Sequence, residues 1–205
     1  DTEKFRALMA EQRERAKADA KKKKSGHSDI AIYHELVEEG NTHFTGYDEL
    51  VTESRVRGLI RDGVRVPVAE QGSTVELVLD ETPFYAEAGG QAPDTGVITG
   101  DGFVLEVTDV QAPVKGLSVH TVTVREGELP ENAVVRAAVD AQRRHAGEEA
   151  HTATHLVHAA LHEVLGPEAL QSGSFNKEGY LRFDFTWAEA LSRATQSEIE
   201  EVTNK

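Results

Sequence analysis

Hydrophobic and polar positions change period three times along the 205-residue chain. Residues 2–22 place Phe5, Leu8, Met9, Gln12 and Ala16 near one side of a helical projection, with charges elsewhere and no Gly or Pro, which predicts an amphipathic helix. Ser25-Gly26-His27-Ser28-Asp29 breaks that pattern, and a short helical stretch from Ile30 to Glu39 ends at Gly40. From about Phe44 the period becomes twofold. Val51–Ile60, Val64–Val68, Thr74–Leu79, Gly96–Ile98, Phe103–Val110, Ser118–Val124 and Ala133–Val139 are short runs rich in β-branched residues. Turn chemistry such as Asp62-Gly63, Gln71-Gly72-Ser73 and Gly100-Asp101-Gly102 separates them. Connections this short leave no room for crossover helices, so the runs predict a small closed barrel rather than a parallel sheet.

The period turns helical again at Ala141 and stays so to Leu165, where Gly166-Pro167 stops it. Leu170–Phe175 and Tyr180–Phe185 follow as strand-like runs joined through Asn176-Lys177-Glu178-Gly179, a hairpin turn. Thr186, with Glu189 three places on, is expected to cap a last helix from Trp187 onward. The fold class is therefore α+β: helix, β-barrel, then a long helix with antiparallel strands. Residues 1–42, 43–140 and 141–205 are the three expected units.

Composition narrows the function classes. At 39% hydrophobic and 28% charged residues the chain can bury a core. No apolar run approaches the roughly 18 residues of a membrane helix, and the start DTEKFRALMA has no apolar signal segment. The absence of Cys excludes a disulfide framework, a thiolate ligand and a cysteine nucleophile within this chain, so a metal would be held by His or carboxylate. The chain begins with Asp1 and stops at Lys205 within a helical pattern, from which a longer parent is expected. Its net charge of −14 is uneven: residues 1–24 carry nine Lys/Arg against five acids. Nucleic acid would meet local patches, not a uniformly basic face.

The most informative segment runs from His151 through His155 and His158 to His162. At 100° per residue the four rings fall at about 0°, 40°, −20° and 20°, one narrow stripe. Leu156, Val157, Ala160, Leu161 and Val164 are expected to pack on the other side. Histidines at i and i+4 are close enough to converge on one ion, yet a pair is half of a tetrahedral shell. Position 152 is Thr, where the zinc-protease signature has Glu. His158 and His162 are expected to orient a ligand or face solvent, not to share that ion. A second unusual segment, Thr82 to Gly96, pairs Gly89 with Gly90 beside Gln91, where backbone N–H groups can approach a ligand.

Thr-Pro-Phe-Tyr-x-Glu-x-Gly-Gly-Gln starting at Thr82, His-Thr-Ala-Thr-His-Leu-Val-His starting at His151, Gln171-Ser-Gly-Ser and Tyr180-Leu-Arg-Phe-Asp-Phe185 occur in that order. The chain thereby resembles the middle of the alanyl-tRNA synthetase family over nearly its whole length, and freestanding editing relatives share part of the pattern. The resemblance implies the end of a tRNA-recognition helical region, the family's β-barrel and the first half of its editing core. It implies a ligase that attaches alanine to tRNA(Ala) with ATP and Mg, outside these residues, and a cytoplasmic location. It also implies hydrolysis of mischarged Ser-tRNA(Ala) and Gly-tRNA(Ala), since a pocket for alanine cannot exclude glycine and rejects serine poorly.

In the family a zinc ion is held by the histidines matching His151 and His155, together with a Cys and a His from a later Cys-Gly-Gly-Thr-His element that this sequence lacks. Weak zinc binding and impaired hydrolysis are expected of the chain alone. Gln171 matches a position implicated in editing, so the resemblance gives it a catalytic role toward the ester. Thr82 is the expected sensor of the serine hydroxyl, with Gly89, Gly90 and Gln91 shaping the substrate pocket. Ala150 stands where many family members have Asn, which puts an amide partner for the first histidine in doubt. Two alternatives are a freestanding deacylase and a non-catalytic RNA-binding barrel.

Overall fold

The computed structural model describes residues 26–205; the helix expected over 2–22 and the lysine run lie outside them. Helix α1 spans Gly26–Glu39. Gly26 to Asp29, expected as a break, are its first turn.

Eleven strands follow before the next helix. They are β1 (His43–Phe44), β2 (Val51–Arg61), β3 (Val64–Arg65), β4 (Val68–Ala69), β5 (Thr74–Leu79), β6 (Glu81–Thr82), β7 (Gly96–Gly100), β8 (Phe103–Gln111), β9 (Val119–Glu126), β10 (Leu129–Pro130) and β11 (Val134–Val139). Six of them pair antiparallel in the order β11-β7-β8-β9-β5-β2, and β11 also pairs with β2, so the sheet closes into the expected barrel. Closure leaves these strands no free edge. Val64–Val68, expected as one strand, is two, because Pro67 lacks the N–H a continuous ladder needs.

Inward-facing residues follow the twofold period until a bulge resets it. On β8, Phe103, Leu105 and Val107 are buried at alternate positions; the register then shifts between Val107 and Asp109, and Val110 is the next one inside. On β2 the shift between Val56 and Gly58 has the same effect, placing Leu59 in the core. A bulge adds one residue to one strand, so the parity of inside and outside changes. The core contains eighteen buried side chains, with Phe84 completely enclosed. A smaller apolar cluster joins Tyr33 and Leu36 of α1 to Ile60, Val78, Leu117 and Val119 on the barrel's outer surface.

Helix α2 spans Ala141–Leu165, as the period predicts. Asp140 caps it, its carboxylate accepting from the N–H groups of Gln142 and Arg143 at 3.1 Å each. Strands β12 (Gln171–Lys177) and β13 (Tyr180–Phe185) form a hairpin whose turn residues are Glu178 and Gly179, with Gly179 at φ 64°. The last helix, α3, is Arg193–Thr203 and is capped by Ser192, not by Thr186. Thr186 instead donates its N–H to Leu170 O at 2.9 Å, which prolongs the hairpin, while Ser192 Oγ accepts from Thr195 N–H. Ala160, Leu161 and Ile199 are buried between α2 and α3, with half-buried side chains such as Leu165, Phe183 and Phe185 packed against them. Leu156, expected to pack, is 51% exposed, because the middle of α2 is not covered on that side.

Candidate functional site

The segment after β6 crosses from the barrel to α2, and polar contacts bind it there. Arg144, 8% exposed, donates through Nε to both Asp94 carboxylate oxygens at 2.9 Å, through Nη1 to Gly46 O at 2.7 Å and through Nη2 to Pro83 O at 2.7 Å. Asp94 also accepts the Tyr85 N–H at 2.7 Å. A buried guanidinium must have both its charge and its N–H groups answered, and here a carboxylate and two carbonyls answer them. Burial, with Tyr47 and Asp94 nearby, holds the Tyr85 phenol above its ordinary pKa.

Two turns along α2 from Arg144, on the same side of the helix, His151 Nδ1 lies 2.7 Å from Gln91 Oε1. An amide oxygen can only accept, so Nδ1 carries the hydrogen and Nε2 presents a lone pair. Gln91 is 9% exposed and its backbone is tied to β12. Asn176 N–H donates to Gly90 O at 2.7 Å, and Ala92 N–H donates to Asn176 O at 2.9 Å. A Cβ on Gly90 would stand 2.5 Å from Ser174 O, and its φ of 81° is left-handed, so glycine is required where the loop meets the strand. Gly89 lies at φ 59° on the exposed side of the same turn. The amide partner put in doubt by Ala150 thus comes from Gln91, a residue expected to contact substrate, and Ala150 itself is buried.

His155 is exposed, its ring stacked on that of His151 with centroids 5.0 Å apart and planes 24° apart. Gln171, exposed at the start of β12, donates from Nε2 to Ser174 Oγ at 3.2 Å. Gly90, Gln91, His151 and Asn176 therefore form one seam. The cavity beside it, lined by Gln91, Asp94, Arg144 and Gly147 among others, measures about 30 Å³, room for a water and not for an amino acid.

Thr82 is elsewhere. It is fully buried, its hydroxyl 2.7 Å from His120 Nε2 and 3.2 Å from Phe84 N–H. His120 Nδ1 donates to Leu77 O at 2.9 Å, so Nε2 is bare and the Thr82 hydroxyl must donate to it while accepting from Phe84. Burial drives the His120 pKa down to about 4, consistent with a neutral ring. The Thr82 hydroxyl, expected to sense a substrate hydroxyl, is here bonded to His120 and Phe84 inside the barrel.

Sequence reasoning missed Arg144, Asp94, His120 and Asn176. Arg144 had a signal, being seven residues before His151 and so on its face of the helix. Asp94 and Asn176 had none, since their partners lie 50 or more residues away. The donor set for zinc is incomplete: His151 and His155 offer two imidazole nitrogens, and among the described residues no group of three or more His, Cys, Asp or Glu is placed to hold an ion. The pair fits part of a shell and does not close one. Among the described residues no helix is long and apolar enough to cross a membrane.

Comparison with known proteins agrees with the order of the motifs. The chain is 67% identical over 200 residues to the alanine–tRNA ligase of Paenarthrobacter aurescens and 67% identical over 200 residues to that of Renibacterium salmoninarum; each alignment covers 98% of this chain and 22% of the relative. To the alanine–tRNA ligase of Nocardia farcinica it is 54% identical over 204 residues, covering 100% of this chain and 23% of the relative. The chain thus spans between a fifth and a quarter of the length of these relatives. A family profile described as tRNA synthetases class II (A) matches residues 1–143, well over half of the chain, and the protein therefore belongs to that family.

Proposed function

We propose that the chain is part of an alanine–tRNA ligase of the cytoplasm, and that the seam between barrel and α2 takes part in hydrolytic editing of Ser-tRNA(Ala) and Gly-tRNA(Ala). Residues 43–140 are the barrel of that protein, and 141–205 a portion of its editing unit. The identity to ligases several times longer favours this reading over a freestanding deacylase. The observation that carries the editing role is the Gln91–His151 hydrogen bond, which joins the Gly-Gly-Gln loop to the helix histidine and fixes its tautomer.

The roles follow from what each group can do. Gln91 holds His151 with Nε2 bare. His151 and His155 would be two ligands of a zinc ion, which when bound supplies Lewis acidity near the ester. Gln171, exposed on the neighbouring strand, offers an amide to the aminoacyl group. ATP and Mg would serve aminoacylation outside these residues. Because the seam is open and its adjoining cavity is water-sized, the acceptor end would lie along it and not inside the barrel.

The test is deacylation of Ser-tRNA(Ala) by the parent ligase. His151→Ala should abolish hydrolysis while alanine attachment persists, and Gln91→Ala should slow hydrolysis about 10–100-fold, the usual cost of losing the group that orients a metal-binding histidine. Hydrolysis by His151→Ala at the parental rate would remove the seam from the reaction.

A further inference from the structure

The second histidine pair on α2 has a geometry that the first lacks. His158 and His162 stand one turn apart with their Nε2 atoms 3.2 Å from each other. Two nitrogens bound at about 2.0–2.1 Å to one ion lie roughly 2.9 Å apart at a right angle and roughly 3.3 Å apart at a tetrahedral one. The separation in the pair falls between those two bites. His151 and His155, by contrast, stack face to face at 5.0 Å, and one nitrogen of His151 is taken by Gln91.

The surroundings hold the second pair in place. The His158 ring lies 4.3 Å from that of His162 and 5.1 Å from Phe183 on β13, centroid to centroid, and both histidines are half-buried. An oxygen that an ion could use is adjacent: the carbonyl of Ala169, itself fully buried, accepts a hydrogen bond from His162 Nε2 at 3.2 Å. His162 is in the last turn of α2, where the helix carries partial negative charge and favours a cation.

We propose that His158 and His162 form a site for a divalent first-row transition ion, bound through both Nε2 atoms with the Ala169 carbonyl and water available for the remaining positions. The rings now share a hydrogen bond through the same two nitrogens; an ion takes its place, with each neutral ring carrying its hydrogen on Nδ1. Imidazole nitrogen with oxygen and open positions suits Cu²⁺ and Ni²⁺, copper binding more tightly. Among the described residues no third His, Cys, Asp or Glu joins the pair, so the site is open rather than caged. It would also staple the end of α2 to the segment before β12, in a unit where Ala160, Leu161 and Ile199 are the buried members of the apolar cluster and the side chains packed against them are half-buried. Small units with little core commonly depend on such cross-links.

The experiment titrates the full chain with Cu²⁺ alone and, separately, Ni²⁺ alone, followed by calorimetry and by the electron paramagnetic resonance of the copper. A His151→Ala/His155→Ala chain isolates the second pair. It should retain one equivalent of Cu²⁺, with nitrogen splitting from two imidazoles, and gain thermal stability on binding. Adding His158→Ala or His162→Ala to it should weaken binding by more than the roughly 10–100-fold that loss of an outer partner costs. Should either variant fail to fold, the copper spectrum of the isolating double variant decides alone: two nitrogens support the site and fewer overturn it. Absence of binding to that double variant, or equal binding after loss of His158 or His162, also overturns it.

Discussion

The barrel and the helix–hairpin unit that follows it are stabilised by different physics. The barrel encloses eighteen buried apolar side chains in a sheet closed on itself, whereas the two helices and two-stranded sheet that follow share three buried apolar side chains with half-buried ones such as Phe183 and Phe185 packed against them. Apolar burial is non-directional and tolerates small shifts; it gives the barrel stability without specifying where its neighbour docks. The helix–hairpin unit is located instead by directional polar contacts: Arg144 to Asp94 and two carbonyls, Gln91 to His151, and the backbone pairing of Gly90 and Ala92 with Asn176. The seam needs angular precision because an imidazole nitrogen is useful only when aimed, and hydrogen bonds supply that.

Removing Arg144 would disturb this comparison most. Arg144→Ala leaves Asp94 buried without its counter-charge, which costs about 3–5 kcal/mol. Amide hydrogen exchange should then speed up along α2 and β12 while the barrel strands keep their protection. Equal loss of protection in the barrel strands would show that the two parts unfold as one and that the contrast is wrong.

The barrel can be probed through its one fully buried titratable ring. His120 has its pKa lowered to about 4, against about 6.5 in the unfolded chain. Between those values the unfolded chain binds a proton that the native chain does not. Stability therefore falls as the pH drops through that window, by up to about 1.4 kcal/mol per pH unit, and this contribution is exhausted once the native ring also protonates. In urea titrations across pH 4–6.5, His120→Gln should flatten this part of the slope; an unchanged slope would mean that His120 is not the group responsible.

A smaller change sharpens the picture at the start of α2. Asp140→Ala removes an N-cap bonded to two N–H groups and should cost about 1 kcal/mol. The loss should appear as faster exchange in the first turn of α2, close to Arg144, without altering the His120-dependent pH profile. A change in that profile would reveal coupling between the helix start and the barrel interior that the contacts do not suggest.

Legibility in the sequence followed the range of the interaction. The strands on β5 and β13 and the full extent of α2 agree with the period of the pattern, because local sterics and alternate burial act along the chain itself. The bulges on β2 and β8 were not legible, since they record a register with a partner strand. The last helix starts later than expected because the backbone of Thr186 is drawn into pairing with Leu170, a competitor that a local capping pattern does not include.

The candidate site divides in the same way. His151, His155, Gly90 and Gln91 stood out from the sequence, yet Gln91 proved to orient His151, and Thr82, equally prominent in its motif, turned inward to His120. By itself the sequence determined the helix that lines up four imidazoles, the alternating strands and the glycines that permit tight turns, all of which are consequences of backbone geometry and neighbouring side chains. Only the tertiary structure decided which hydroxyl is sealed in the core and which amide meets which ring. Those outcomes depend on segments tens of residues apart arriving within 3 Å of each other, and no local pattern carries that distance.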